Sequence, residues 1–196
     1  MQLTDVSTAA ILGWLAATGA ASAIELEVVA AISRRALVTR LRALERAGLL
    51  RSEALLRGEP ALHTLTRSGL RAAGRPELEC VAISAASFGH QVALARTALA
   101  LLGAGERVGG ERELRAFERL EGRALASAAV GLARNGEIAW HRPDLVCWRA
   151  PRPVAVEVEL TVKAPERLRG IVRGWARSRL LEGVVYYATA AAARAV

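Results

Sequence analysis

Four residues towards the end of the chain have types and a spacing that could do chemistry. Asp144 follows Pro143, and Glu157, Glu159 and Lys163 come soon after. Three carboxylates converging near a lysine can hold Mg²⁺ and steady an attacking water. In that reading Asp144, Glu157 and Glu159 are candidate metal ligands, and Lys163 is the cation facing the transition state. Composition singles out the same residues. Of 27 basic residues Lys163 is the only lysine, and Asp144 is one of two aspartates among 19 acids. Glu157 and Glu159 side by side on a strand face repel each other unless something compensates. The plainer alternative is a solvated edge strand with chance acids.

The elements that must position these side chains are legible around them. Leu145–Trp148 reads as a strand, residues 149–153 as a Pro-containing turn, and Val154–Val162 as a second strand. Its alternation puts Glu157, Glu159, Thr161 and, if the strand continues, Lys163 on one face. Pro165 suits the first turn of a helix carrying Leu168, Ile171, Val172 and Trp175, with Arg169, Arg173 and Arg177 as a stripe on another side. Val184–Ala188 is a last strand. Upstream, residues 86–102 read as a long apolar helix, buried in a core or at a dimer interface, with His90 near its start. Residues 111–120 form a charged helix with Leu114, Phe117 and Leu120 on one side. The stretch with Gly122, Gly131 and Gly136 reads as loop and short strands. Together these make an α/β domain over residues 76–196.

A second chemistry lies in residues 1–75. Asp5 or Thr4 can cap a first helix, Ser22 a second over roughly 23–31, and Ser33 a third from Arg34 to about Ala47, stopped by Gly48. Helix, short turn and helix is the spacing of a DNA-binding helix-turn-helix. On the third helix Leu37, Leu41 and Leu44 share one stripe, and Arg35, Thr39, Arg42 and Arg46 share the opposite one. Arginine forks suit guanine edges and phosphate oxygens. Leu49–Leu56 and Ala61–Leu65 then read as a hairpin around Arg57-Gly58-Glu59-Pro60, and Thr66 caps a short helix to Ala73. This is the element order of a winged helix. It predicts Arg35, Thr39 and Arg42 in the major groove, with Arg34, Arg40, Arg46 and Arg57 on phosphates or the minor groove. Arg75-Pro76 is a breaker, which sets the expected domain boundary.

Composition narrows the classes. The formal net charge is +8 with a pI near 11.0, which favours polyanionic partners, nucleic acid first. No stretch reaches the roughly 18 apolar residues of a membrane span. The first basic residue is Arg34, so a secretory signal is not expected, and the expected location is cytoplasmic, on nucleoid or plasmid. Cys80 and Cys147 are too few for a disulfide framework or zinc cage and read as small buried residues.

Leu65-Thr66-Arg67-Ser68-Gly69 resembles the Leu-Thr-x-x-Gly that closes the wing in MarR-like winged helices. Pro143-Asp144 with the Glu157–Lys163 run resembles the Pro-Asp…(Asp/Glu)-x-Lys nucleases, which implies a restriction-endonuclease-like core and an overall α+β fold. The departure is that neither glutamate has lysine two residues on, so Lys163 would have to swing back. The whole chain, roughly residues 5–188, resembles the replication-relaxation family. The resemblance rests on the winged helix, His90, Glu111-Arg112-x-Leu114-Arg115, Arg142-Pro143-Asp144, Val156-Glu157-Val158-Glu159-Leu160-Thr161-x-Lys163 and Arg167-Leu168. It implies a winged-helix protein of plasmids and mobile elements with a nuclease-like second domain. The leading expectation is a homodimer that binds double-stranded DNA and regulates replication or transcription without cutting. DNA binding then needs no cofactor, and Mg²⁺ enters only if the second domain is active. One rival is a Mg²⁺-dependent nuclease or nickase; another is a protein-binding component of a replication or transfer complex.

Overall fold

The computed structural model describes residues 5–195 and is a mixed α+β fold with small sheets. The chain divides into two compact units, with the division between Ala100 and Leu101. Sequence placed the boundary after residue 75. The segment beyond it stays with the first unit because Ile83 and Phe88 pack against Ala20 and Leu62 in one apolar cluster.

The first unit is built from α1 (Val6–Thr18), β1 (Ala20–Ser22), α2 (Ala23–Ala30), α3 (Arg34–Arg46), β2 (Leu50–Glu53), β3 (Leu62–Leu65), α4 (Arg67–Ala72) and most of α5 (Ala85–Gly103). Local capping explains its helix starts. Thr8 N–H donates to Asp5 at 2.7 Å; Thr4 lies outside the described residues. Ile24 N–H donates to the Ser22 hydroxyl, and Glu25 accepts from the Ser22 N–H, a reciprocal capping box. Ser33 and Thr66 cap α3 and α4 by accepting single bonds, from Ala36 N–H and Gly69 N–H. Leu15, Leu26, Leu37, Leu44, Leu62 and Leu70 are fully buried between these helices and a sheet ordered β1-β3-β2.

Two local expectations change. The β2–β3 connection runs over residues 54–61, longer than the four-residue turn expected. The unexpected strand β1 pairs antiparallel with β3, Ala21 opposite His63.

The second unit contains β4 (Val108–Gly110), α6 (Glu111–Glu121), β5 (Ala128–Leu132), β6 (Ile138–His141), β7 (Leu145–Cys147), β8 (Val154–Glu159), α7 (Pro165–Arg177), β9 (Gly183–Ala188) and α8 (Ala190–Ala193). Its main sheet is ordered β4-β7-β8-β9, with only the β8–β9 pair parallel. α7 makes the crossover that a parallel pair requires, and Pro165 stands in its first turn. The core gathers Leu114, Val146, Ala155, Ile171 and Trp175. α7 comes close to β5 at Gly174, where a Cβ would stand 2.8 Å from the Ala129 carbonyl oxygen. β8 is buried at all six positions, and it ends at Glu159 rather than Val162, so Thr161 and Lys163 leave the strand. Of the three apolar residues on one side of α6 only Leu114 is buried; Leu120 is 83% exposed. Cys147 is buried as expected, whereas Cys80 is exposed. Among the described residues no helix is long and apolar enough to cross a membrane.

Candidate nucleic-acid interface and carboxylate cluster

α3 separates its two faces sharply. Leu37, Leu41 and Leu44 are buried, and Arg35, Thr39, Arg42 and Arg46 are all exposed. The Thr39 hydroxyl donates to the Arg35 carbonyl at 3.1 Å, and Arg46 Nε donates to the Arg42 carbonyl at 3.3 Å. These bonds stay within the helix. Arg34 is exposed but stands 3.3 Å from Glu27 on α2. Arg40 is turned inward, ion-paired with Asp5 and donating to the Thr8 hydroxyl at 2.5 Å. It ties α3 to the start of α1. The guanidinium beside Asp5 lowers that carboxyl to about 2. Arg57 is exposed in the β2–β3 connection.

The hairpin is fastened behind α3. His63 on β3 is buried and lies 2.6 Å from the Ser52 hydroxyl of β2. Burial pulls its imidazole below the ordinary histidine range. The Thr66 hydroxyl donates to the Gly48 carbonyl at 2.6 Å, joining the end of α3 to the start of α4.

The carboxylates of the second unit are neighbours by register. Leu145 pairs with Val156, and one step further along the antiparallel ladder sets Asp144 beside Glu157. Glu157 and Glu159 are 3% and 6% exposed, which makes their compensation a requirement. Each has a different partner. Asp144 accepts the Val158 N–H at 2.8 Å. Glu157 lies 2.7 Å from His141 Nε2, and the His141 ring meets Trp175 edge-on at 5.4 Å between centroids. Glu159 is ion-paired with Lys163 from the loop after β8. On the next strand Tyr186 pairs in register with Glu157. Burial, with the Glu157 charge adding, pushes its hydroxyl up to about 12.

Among the described residues no three His, Cys, Asp or Glu side chains are grouped as a metal would need. Asp144, Glu157 and Glu159 are each engaged within the protein. The repulsion expected between the two glutamates is answered by His141 and Lys163 instead.

Two participants were not identified from the sequence. His141 directly precedes the Arg142-Pro143-Asp144 run, and that adjacency was the available signal. Glu118 on α6 is 6% exposed. It accepts from Leu125 N–H at 3.0 Å, the Ser127 hydroxyl at 2.5 Å and Arg142 Nε at 2.8 Å. Its spacing on α6 carried no hint of this, because every partner comes from beyond the helix.

The fold and these clusters define a two-unit α+β chain with an outward arginine face and an inward set of carboxylates whose partners lie within the protein. No protein-family model and no curated protein matches it.

Proposed function

We propose that this chain is a DNA-binding protein of a mobile element, in which the first unit is a winged helix that lays α3 in the major groove. The observation that carries the reading is the α3 face: Arg35, Thr39, Arg42 and Arg46 stand exposed opposite three buried leucines. Arg35, Thr39 and Arg42 then meet base edges. Arg34, Arg46 and Arg57 neutralise phosphates or enter the minor groove. Arg40 supports them by holding α3 against α1 rather than by touching DNA. The order of α2, α3 and the β2–β3 hairpin supports the winged-helix assignment.

The second unit, in this proposal, derives from a nuclease-like core and acts without cutting, as a homodimer contact or an added grip on DNA. The separate partners of Asp144, Glu157 and Glu159 support that part. The motif resemblance to the replication-relaxation family supports control of plasmid replication or transcription.

The test is a gel-shift titration of double-stranded DNA across salt. Affinity is expected to fall steeply between about 50 and 200 mM salt, as phosphate contacts require. Joint Arg35→Ala and Arg42→Ala substitution is expected to cost about a hundredfold, from two base-contacting arginines. Binding indifferent to salt and to both substitutions rejects the reading. Supercoiled plasmid is expected to stay intact with the protein and Mg²⁺; metal-dependent nicking that vanishes in Asp144→Ala would instead establish the nuclease.

A further inference from the structure

The second unit carries a feature that the α3 reading does not use. A cavity of about 640 Å³ opens between α6 and β6, lined by Arg115, Glu118, Arg119, Arg123, Trp140 and Arg142. Four arginines face one carboxylate there, and that carboxylate is turned inward. Glu118 is nearly buried and fixes the Arg142 guanidinium through its Nε, which leaves the other nitrogens of that fork unconstrained by this bond. Arg115 and Arg123 have exposed partners, Glu111 at 2.5 Å and Glu121 at 3.7 Å. Such surface pairs are weak and exchange readily for a phosphate. Trp140 is 39% exposed on β6.

Trp140 is shared with a second hollow. This depression of about 530 Å³ has Leu132 and Ile138 in its lining and Arg177 and Arg179 at α7 and just beyond it. Leu132 and Ile138 are themselves 74% and 51% exposed. Trp140 therefore belongs both to an arginine-lined hollow and to a more apolar one that also carries arginines.

We infer that this surface binds a short stretch of single-stranded nucleic acid, one base stacking on Trp140 with the flanking phosphates on the arginines of the two hollows. Stacking on an exposed aromatic beside a cationic track is how unpaired strands are held without sequence readout. A duplex keeps its base faces hidden, so it cannot use the indole in this way. A single nucleotide would fill one hollow and leave the arginines of the other without a phosphate. The site is independent of the α3 proposal, since none of its residues lies on α3.

The experiment is fluorescence anisotropy of fluorescein-labelled oligo(dT) of twelve nucleotides with the full chain, using dTMP as competitor and a labelled duplex of the same length as a parallel probe. Oligo(dT) is expected to bind, and to bind less tightly as salt rises. Trp140→Ala should weaken it about tenfold or more, and Trp140→Phe should retain most of it. The exposed pair Arg115→Gln with Arg119→Gln, which leaves the core untouched, should weaken it as well. Arg35→Ala with Arg42→Ala should leave it unchanged, so duplex binding can fail while this inference stands, and the reverse. The inference is overturned if oligo(dT) does not bind, or if Trp140→Ala and the arginine pair both bind as the parent does. It is equally overturned if dTMP displaces the strand at equal nucleotide concentration, or if the α3 substitutions remove the binding.

Discussion

α3 and β8 carry opposite charges and handle them in opposite ways. α3 turns Arg35, Arg42 and Arg46 outward, and the bonds seen for them stay within the helix. β8 turns Glu157 and Glu159 inward, where His141 and Lys163 meet them. The physical reason is the solvent each face sees. An exposed guanidinium remains hydrated and keeps its donors for another molecule. A buried carboxylate must find its partner inside the fold or lose several kcal/mol. The comparison teaches which charges remain to act on something else. Those on α3 do, whereas those on β8 already face His141 and Lys163.

The sharpest way to break that contrast is to empty an inward acid and an outward base in parallel. Glu118→Ala removes the acceptor for Leu125 N–H, the Ser127 hydroxyl and Arg142 at once. It leaves a half-buried guanidinium without its partner, and the expected loss is about 3–5 kcal/mol of stability. Arg35→Ala, on the exposed face of α3, should stay within about 0.5 kcal/mol. Denaturant unfolding of the two variants measures both. Equal effects would mean that the inward acids do not hold the second unit together.

The same division explains what the sequence made legible. Helix starts were readable because Asp5, Ser22, Ser33 and Thr66 bond to N–H groups two or three residues away. The α3 faces were readable because one periodicity sorts leucine from arginine. β1 was not, since Ala20-Ala21-Ser22 has no strand propensity and becomes a strand only by pairing with β3. On β8 the alternation of valine with glutamate was visible, but its consequence was not. Both faces are buried, and what lies against Glu157 comes from a strand 16 positions away. The inward turn of Arg40 was equally hidden, because Asp5 is 35 residues distant. Arginines on a helix announce their face; whether one of them is already engaged depends on the tertiary fold.

A smaller effect compares how tightly each unit is closed. At Gly69 on α4 a Cβ would fall 1.9 Å from the Leu49 carbonyl oxygen, behind the end of α3. At Gly174 on α7 it would fall 2.8 Å from the Ala129 carbonyl oxygen. Both obstacles are backbone, which yields poorly. Gly69→Ala is expected to cost towards the upper end of about 1–3 kcal/mol, and Gly174→Ala less. Thermal unfolding should rank them in that order. The reverse order would place the tighter frame around the inward carboxylates rather than behind the outward arginines.

The smallest effect concerns the one α3 arginine that breaks the pattern. Arg40 lowers the Asp5 carboxyl to about 2, against about 3.9 for an unfolded aspartate. A carboxyl held below its unfolded value stabilises the fold fully above that unfolded value. The contribution is lost as pH falls through the folded one, so it should disappear between about pH 4 and pH 2. The Asp5 side chain is 41% exposed, so salt should shrink the effect further. Asp5→Asn is therefore expected to unfold slightly earlier than the parent at neutral pH, by a gap that stays constant down to about pH 5 and closes towards pH 2. An acid titration of both proteins, followed by far-UV circular dichroism at low salt, measures it. A gap that persists to pH 2 would mean that Asp5 does not hold Arg40 by charge. The inward turn of Arg40 would then rest on its bond to the Thr8 hydroxyl rather than on charge.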